Sequence, residues 1–249
     1  MKVFSIAGYH RTGKTTVVVE LIKELKKRGF KVVSIKDIHA EDFSMEDKNS
    51  NSWKHWEASH DTVIARGLHE TYQIWHRQLS LNEMLAHLEA DYVVVEGMSS
   101  APLPRIICAE TQTQLNELAD GTVFAISGIY ADDHNNYKHL PVLKSVEEVT
   151  QLADLVEKRV FEVLPLPNAE CCEECGLTCR EMVAAILAGE RKREDCKTDR
   201  NTGMKIKIGG KVIKIVPYVQ KTFLDIIKAY LKNLKGYKEK EKIEIEINE

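Results

Sequence analysis

Residues 8–16 read GYHRTGKTT. From Gly8 to Thr15 the stretch satisfies G-x-x-x-x-G-K-[ST]. It follows the apolar run VFSIA (3–7) and precedes the helical pattern TTVVVELIKELKKRG. A buried strand, a glycine-bearing loop and a helix in that order restrict the fold more than any other feature of the chain. Gly8 and Gly13 let the backbone wrap so that its N–H groups converge on an anion, and the helix beginning near Gly13 adds its positive end. The spacing therefore assigns Gly8, Tyr9, His10, Arg11, Thr12, Gly13, Lys14, Thr15 and Thr16 to the phosphates of a nucleotide. Lys14 is expected to reach the β- and γ-phosphates as a catalytic cation, and the Thr15 hydroxyl to ligate Mg2+.

The rest of the first 165 residues alternates short apolar runs with helical patterns. The first helix carries Val18, Leu21, Ile22 and Leu25 on one face and stops at Gly29. KVVSI (31–35) is the second predicted strand. HDTVIARG is read as the end of a helix at Gly67, and TYQIW (71–75) as the third strand. SLNEMLAHL (80–88) opens with a serine cap. YVVVE (92–96), RIICA (105–109), TVFAI (122–126) and LPVL (140–143) are further strands. A long helix over 145–164 is expected to start at a Ser145/Glu148 capping box. Fully apolar strands alternating with helices predict an α/β fold of the P-loop NTPase type: a mainly parallel sheet covered by helices on both faces.

PLPNAE (165–170) breaks this pattern and reads as a linker. A cysteine-rich segment spans 171–197, and a small α+β unit spans 203–249. Within that unit MKIKIGGKVIKIV (204–216) is a hairpin about Gly209-Gly210. Pro217 opens a helix to about Leu234, and KIEIEI (242–247) alternates as a third strand, giving a β-β-α-β order. The expected organisation is thus 1–165, 171–197 and 203–249.

Composition excludes several roles. Of 249 residues, 43% are hydrophobic and 29% charged, with a formal net charge of −3. That balance offers no electrostatic case for nucleic acid or membrane surfaces as partners. No apolar run has membrane-spanning length. The expected location is cytoplasmic, a reducing compartment in which a structural disulfide framework is disfavoured.

Ligands of a parallel sheet sit beyond the carboxyl ends of its strands. Glu96 ends YVVVE, while Lys36 and Asp37 follow VVSI. Glu96 is the acid expected to hold Mg2+ through water or to orient a nucleophilic water; the alternative is a polar strand terminus beside Gly97. Lys36 is a further nucleotide contact. His39, Asp42 and Asp47 follow in a loop suited to a switch or acceptor site. Arg105 is either a cation for a phosphate or an ordinary surface arginine. No N-K-x-D element from which guanine specificity could be read occurs near the end of the sheet.

Cys172, Cys175, Cys179 and Cys196 are spaced C-x2-C-x3-C-x16-C. Zinc ribbons supply two separated pairs, whereas three bunched thiols and a distant fourth suit a [4Fe–4S] cluster. Zn2+ is the alternative, then plain thiols. Val183, Ile186 and Leu187 would give the intervening helix a face to cover the cluster. The segment resembles a small iron–sulfur domain, C-G-x-C-G…C with a distant last cysteine, of corrinoid iron–sulfur proteins and ferredoxin-reductase subunits. It departs at Glu173, where that domain often has glycine. Cys171 is left over, and Cys108 is expected in the core.

Taken in order, GYHRTGKTT, VVSIKDIHAEDF, NSWKHWEAS, DYVVVEG and LPRI resemble the molybdopterin-guanine dinucleotide biosynthesis protein B (MobB) family across the first 165 residues. The chain departs at Ile35-Lys36-Asp37 (family I-K-H), Ala58-Ser59-His60 (A-G-A) and Pro104-Arg105-Ile106 (P-K-I). The family's K-D-S is represented by Ser50-Asn51-Ser52 or Lys48-Asn49-Ser50. The resemblance implies GTP binding with weak GTPase activity, ATP being the alternative nucleotide. It implies an auxiliary role beside a molybdopterin guanylyltransferase or another molybdoenzyme maturation partner, and leaves a homodimer open. Two other functions use the same loop. One is a small-molecule kinase or ligase, which would normally carry an arginine-rich lid not seen here. The other is a nucleotide-gated adaptor that delivers a metal cofactor.

Overall fold

The computed structural model describes the chain except residues 41, 42, 45, 166–174, 198–205, 209, 210, 214–216, 239–242, 244 and 246–249. In chain order the elements are β1 (Lys2–Gly8), α1 (Lys14–Lys27), β2 (Val32–Lys36), α2 (Asn51–Ser59), β3 (Val63–Arg66), β4 (Thr71–Ile74), α3 (Leu81–Ala86), β5 (Tyr92–Glu96), β6 (Arg105–Cys108) and α4 (Gln112–Leu118). They continue with β7 (Val123–Ser127), α5 (Tyr130–Asp133), β8 (Asn136–Tyr137), β9 (Leu140–Pro141), α6 (Val149–Arg159), α7 (Cys179–Ala188), β10 (Ile206–Ile208), β11 (Lys211–Ile213) and α8 (Pro217–Leu231).

Five parallel strands form the sheet in the order β2-β5-β1-β6-β7. Chain direction across the sheet reverses at β1, so the loop leaving β1 opens into the crevice where such sheets bind ligands. The strand ending in Glu96 lies directly beside it, with Ile6 opposite Glu96. The strands read as continuous apolar runs because both faces are covered. In β6, Ile106 enters one core with Phe4, Leu21, Leu25 and Leu152, while Ile107 enters another with Leu115, Ile126 and Tyr130. Neighbouring strand residues point to opposite faces, so these two cores lie on either side of the sheet. Each fully buried aliphatic side chain among them contributes about 1.5–3 kcal/mol relative to exposure.

Four sequence expectations are corrected. The stretch to Gly67 does not end a helix: α2 stops at Ser59, capped by His60 in the left-handed region (φ 51°), and Val63–Arg66 is strand. β-branched Val63 and Ile64 suit a strand once a partner exists, and β4 is that partner, antiparallel through Val63–Ile74 and Arg66–Thr71. TYQIW is therefore a strand, but of this hairpin and not of the main sheet. LPVL reduces to a two-residue strand paired with β8, and only Val142 bridges the main sheet, at Ile126. The 145–164 helix is shorter at both ends. The Glu148 carboxylate accepts from the Lys144 backbone N–H at 2.8 Å instead of boxing Ser145, and the helix starts at Val149. It ends before Val160, where the chain extends and Glu162 bridges Lys2 antiparallel.

The described part of the cysteine segment is docked onto this unit. Thr178 caps α7 and forms a reciprocal box with Glu181, and Gly189 ends it at φ 78°. Met182, Val183, Leu187 and Cys196 join the same core as Val3 and Phe4. The Arg193 guanidinium donates to the carbonyls of Glu162 and Val163 at 2.7 and 2.8 Å. Beyond it, β10 and β11 form the expected antiparallel pair and α8 begins at Pro217. Of the strand expected over 242–247 only Ile243 and Ile245 are described, both exposed and neither in a strand; its other residues and the linker from residue 166 lie outside the described residues.

Candidate functional site

The loop at the end of β1 is shaped by close backbone approach. Gly8 has φ 154°, and a Cβ there would lie 2.0 Å from the Cys108 carbonyl oxygen. Gly13, the residue before α1, has φ 89°, and Arg11 between them is also left-handed at φ 59°. Behind the loop stands Gly128, just past β7, where a Cβ would lie 2.2 Å from the Thr12 carbonyl oxygen. The same carbonyl accepts from the Ile129 N–H at 3.2 Å. Thr12 is buried and its hydroxyl donates to the Tyr9 carbonyl at 2.9 Å. The ends of β6 and β7 thus clamp the loop from behind. Gly128 and Ile129 escaped the sequence reading; a glycine directly after an apolar strand was their one signal, since it marks close backbone approach.

The Lys14 ammonium donates to the Tyr9 carbonyl, folding back over the loop, and the Tyr9 hydroxyl donates to Glu117 of α4. In the first turn of α1 the Thr15 hydroxyl donates to Glu96 Oε1 at 2.9 Å. Lys36 Nζ lies 3.2 Å from that same oxygen. Thr15, Glu96 and Lys36, predicted from three separate segments, are therefore brought together at one carboxylate. Asp37 sits behind them, accepting from the Met98 N–H at 3.2 Å with His39 Nε2 3.3 Å away. Asp47 stays in the following loop, apart from these contacts, and Asp42 lies outside the described residues.

Arg105 does not fit the phosphate role. It begins β6, at the other end of the strand from the loop, and is 2% exposed. Its guanidinium donates to Thr122 Oγ1 (2.8 Å) and to the carbonyls of Ser99 (3.2 Å) and Leu118 (3.3 Å), and pairs with Asp120 at 2.7 Å. With its donors committed to these protein partners, it is a buried cross-brace, not a surface arginine.

Cys108 is fully buried beneath the loop, and burial pushes its thiol up to about 12. Cys175 and Cys179 pack half-buried against the core that contains Cys196. Cys171 and Cys172 lie outside the described residues, so the fourfold set is not assembled from the described residues alone. Among the described residues no three His, Cys, Asp or Glu side chains gather to hold an ion. The apolar face of α7 rests on the main core, with Ile186 at its margin. No described helix is long and apolar enough to cross a membrane.

A five-stranded parallel sheet with a glycine-clamped loop on its central strand defines a P-loop protein of the α/β class. More narrowly, residues 3–128 match the family model of molybdopterin guanine dinucleotide synthesis protein B, and the chain belongs to this MobB family. A candidate molybdopterin-guanine dinucleotide biosynthesis adapter protein of Methanocaldococcus jannaschii is 29% identical over 100% of this chain and 98% of its own length. The molybdopterin-guanine dinucleotide biosynthesis adapter protein of Haemophilus influenzae is 29% identical over 61% of this chain and 85% of its own. The crystal structure of Bacillus subtilis MobB is similar in fold, with a TM-score of 0.51 at 20% identity, covering 66% of this chain and 100% of that one. The archaeal match runs through the cysteine segment and tail; the bacterial matches cover about two thirds of the chain or less.

Proposed function

We propose that the chain binds GTP with Mg2+ on residues 8–16 and works as an adapter in the attachment of a guanine nucleotide to molybdopterin. One observation carries the nucleotide reading: the Thr15 hydroxyl and the Glu96 carboxylate meet at the mouth of a glycine-clamped loop. A Cβ at Gly8 would collide with its surroundings, so the backbone wraps tightly enough to present its N–H groups to an anion. Thr15 would hold Mg2+ directly and Glu96 through water, and the ion would neutralise phosphate charge. Lys14 exchanges the Tyr9 carbonyl for the phosphates, and Lys36 is free to turn from Glu96 to the nucleotide. Hydrolysis is slow, with Glu96 orienting water. The adapter role, and a guanylyltransferase or other molybdoenzyme maturation partner, rest on family membership.

The test is binding of fluorescent GTP and ATP analogues with and without Mg2+, followed by co-purification with a molybdopterin guanylyltransferase. Mg2+-dependent binding that prefers GTP supports the reading. Protein that binds neither nucleotide overturns it. Phosphoryl transfer to a small acceptor would favour a kinase or ligase instead, and partner binding lost in Lys14→Ala without wild-type hydrolysis would favour a nucleotide-gated delivery adaptor.

The cysteines are proposed as ligands of a [4Fe–4S] cluster through Cys172, Cys175, Cys179 and Cys196. Their spacing and the apolar core beneath Cys175, Cys179 and Cys196 support this. Such a group would supply a redox-sensitive, thiolate-held anchor for the segment. Iron, sulfide and zinc analysis of anaerobically purified protein decides it: iron and sulfide in equal amounts support the cluster, and stoichiometric zinc replaces it.

A further inference from the structure

We propose that Arg180, in the first turn of α7, is a positioning residue for the nucleotide site, coupling the state of the cysteines to occupancy of the loop. The inference rests on the nucleotide reading above. It starts at Glu96, whose carboxylate holds Thr15 and Lys36. The two residues that follow are both left-handed, Gly97 at φ 100° and Met98 at φ 50°. That backbone is unfavourable for a methionine, so the turn is held from outside. On one side the Met98 N–H is held by Asp37. On the other, the Ser99 carbonyl accepts from Arg105 and from Arg180 Nη1, each at 3.2 Å, and the Ser100 carbonyl accepts from Arg180 at 3.3 Å.

The far side of the Arg180 fork grips Asp120 Oδ2 through Nε (2.9 Å) and Nη2 (2.7 Å). Asp120 Oδ1 is the partner of Arg105. Two guanidiniums therefore share one carboxylate and one carbonyl, and the second is contributed by the cysteine segment. Arg180 follows Cys179, the first residue of α7. The helix behind them is seated by Met182, Val183 and Leu187, and by Gly121, where a Cβ would lie 2.7 Å from that of Ala184. A change at Cys179 thus moves Arg180 with the first turn, and the turn after Glu96 follows. Coupling of this kind is reciprocal: GTP must alter the cysteines by the factor by which they alter GTP binding.

The experiment uses the full chain, GTP with Mg2+, and iodoacetamide as the thiol probe. In wild type, GTP is expected to change the modification rate of Cys175 and Cys179 about fivefold or more, and modification in turn to change GTP affinity about fivefold or more. In Arg180→Ala both effects should fall to about twofold or less while GTP still binds. Arg180→Lys keeps an ion pair with Asp120 but loses Nη1, which reaches both carbonyls, so it too should lose the coupling. A merely structural arginine would be rescued by lysine. Should Arg180→Ala fail to fold, Arg180→Lys carries the test. Wild type that binds GTP with cysteine rates indifferent to it, or variants that keep full coupling, overturn this inference alone. Wild type that binds no GTP overturns the nucleotide reading and this inference with it.

Discussion

Thr15 and Glu96, 81 residues apart in sequence, share a hydrogen bond of 2.9 Å that ties the first turn of α1 to the end of β5. In the proposed function these are the two side chains nearest the metal. Glu96→Gln keeps the shape and removes the charge, and Thr15→Ala removes the hydroxyl. Each should abolish the Mg2+ dependence of GTP binding and weaken affinity about 10- to 100-fold, the range for a lost hydrogen bond to a charged group. Titration of a fluorescent nucleotide with and without Mg2+ measures both effects.

Gly128→Ala tests the clamp behind the loop. The new methyl would lie 2.2 Å from the Thr12 carbonyl at a φ of 75°. The expected result is destabilisation of more than about 2 kcal/mol, with nucleotide affinity falling alongside. Urea unfolding and nucleotide titration check it. Retained stability together with retained binding would mean that the loop is not held from β7.

Arg105→Met addresses the buried cross-brace. Met leaves the buried acceptors at Thr122, Ser99 and Leu118 without their donor, at a cost of about 1–3 kcal/mol, while Asp120 keeps Arg180 and Thr122. Denaturant unfolding should show a loss in that range. Arg105 itself is buried, so most of that loss should persist at high salt, although Asp120 is partly exposed.

Asp120 gives this brace a pH signature. Burial alone would raise its carboxyl, but bonds from Thr122, Arg105 and Arg180 outweigh burial and hold it well below the usual carboxylate range. A depressed folded-state value stabilises the fold at every pH above the unfolded value of about 3.9. That contribution is lost as pH falls below this value towards the folded one. Wild type should therefore lose stability below about pH 4, and Asp120→Asn, less stable at neutral pH, should show a shallower loss there. Thermal melts across pH 2–7 give the comparison.

Cys108 should be inert. With its thiol pushed up to about 12 and its side chain fully buried, it should resist iodoacetamide in the folded protein at pH 8 and react only on unfolding. Peptide mass mapping reads this directly.

The parts of the site legible in the sequence were those whose chemistry is local. Gly8 to Thr15 declares itself because eight adjacent residues carry the whole geometry. Glu96 was readable because an acid ending an apolar strand has a defined position in a parallel sheet. Arg105 was not, because its burial depends on Thr122 and Asp120, which reach it from the next crossover. The same limit explains Val63–Arg66: the residues fit a helix end until β4 supplies a partner. At 145–148 two local caps compete for Glu148, and the Lys144 N–H takes it. The cysteine spacing was visible, but the docking of α7 was not, since nothing in REMVAAILAGE names Gly121 as its seat.

That seat has a consequence for how the chain can be divided. Gly121 leaves room for Ala184 against the edge of the P-loop unit, and Leu164 shares the core that Met182 and Val183 complete. The cysteine segment is therefore not portable. Grafted onto a relative with a larger side chain at the equivalent of Gly121 it would find no berth, and cut away from this chain it would strip apolar surface bare. Segment and P-loop unit complete one core, so loss of either would expose apolar surface on the other.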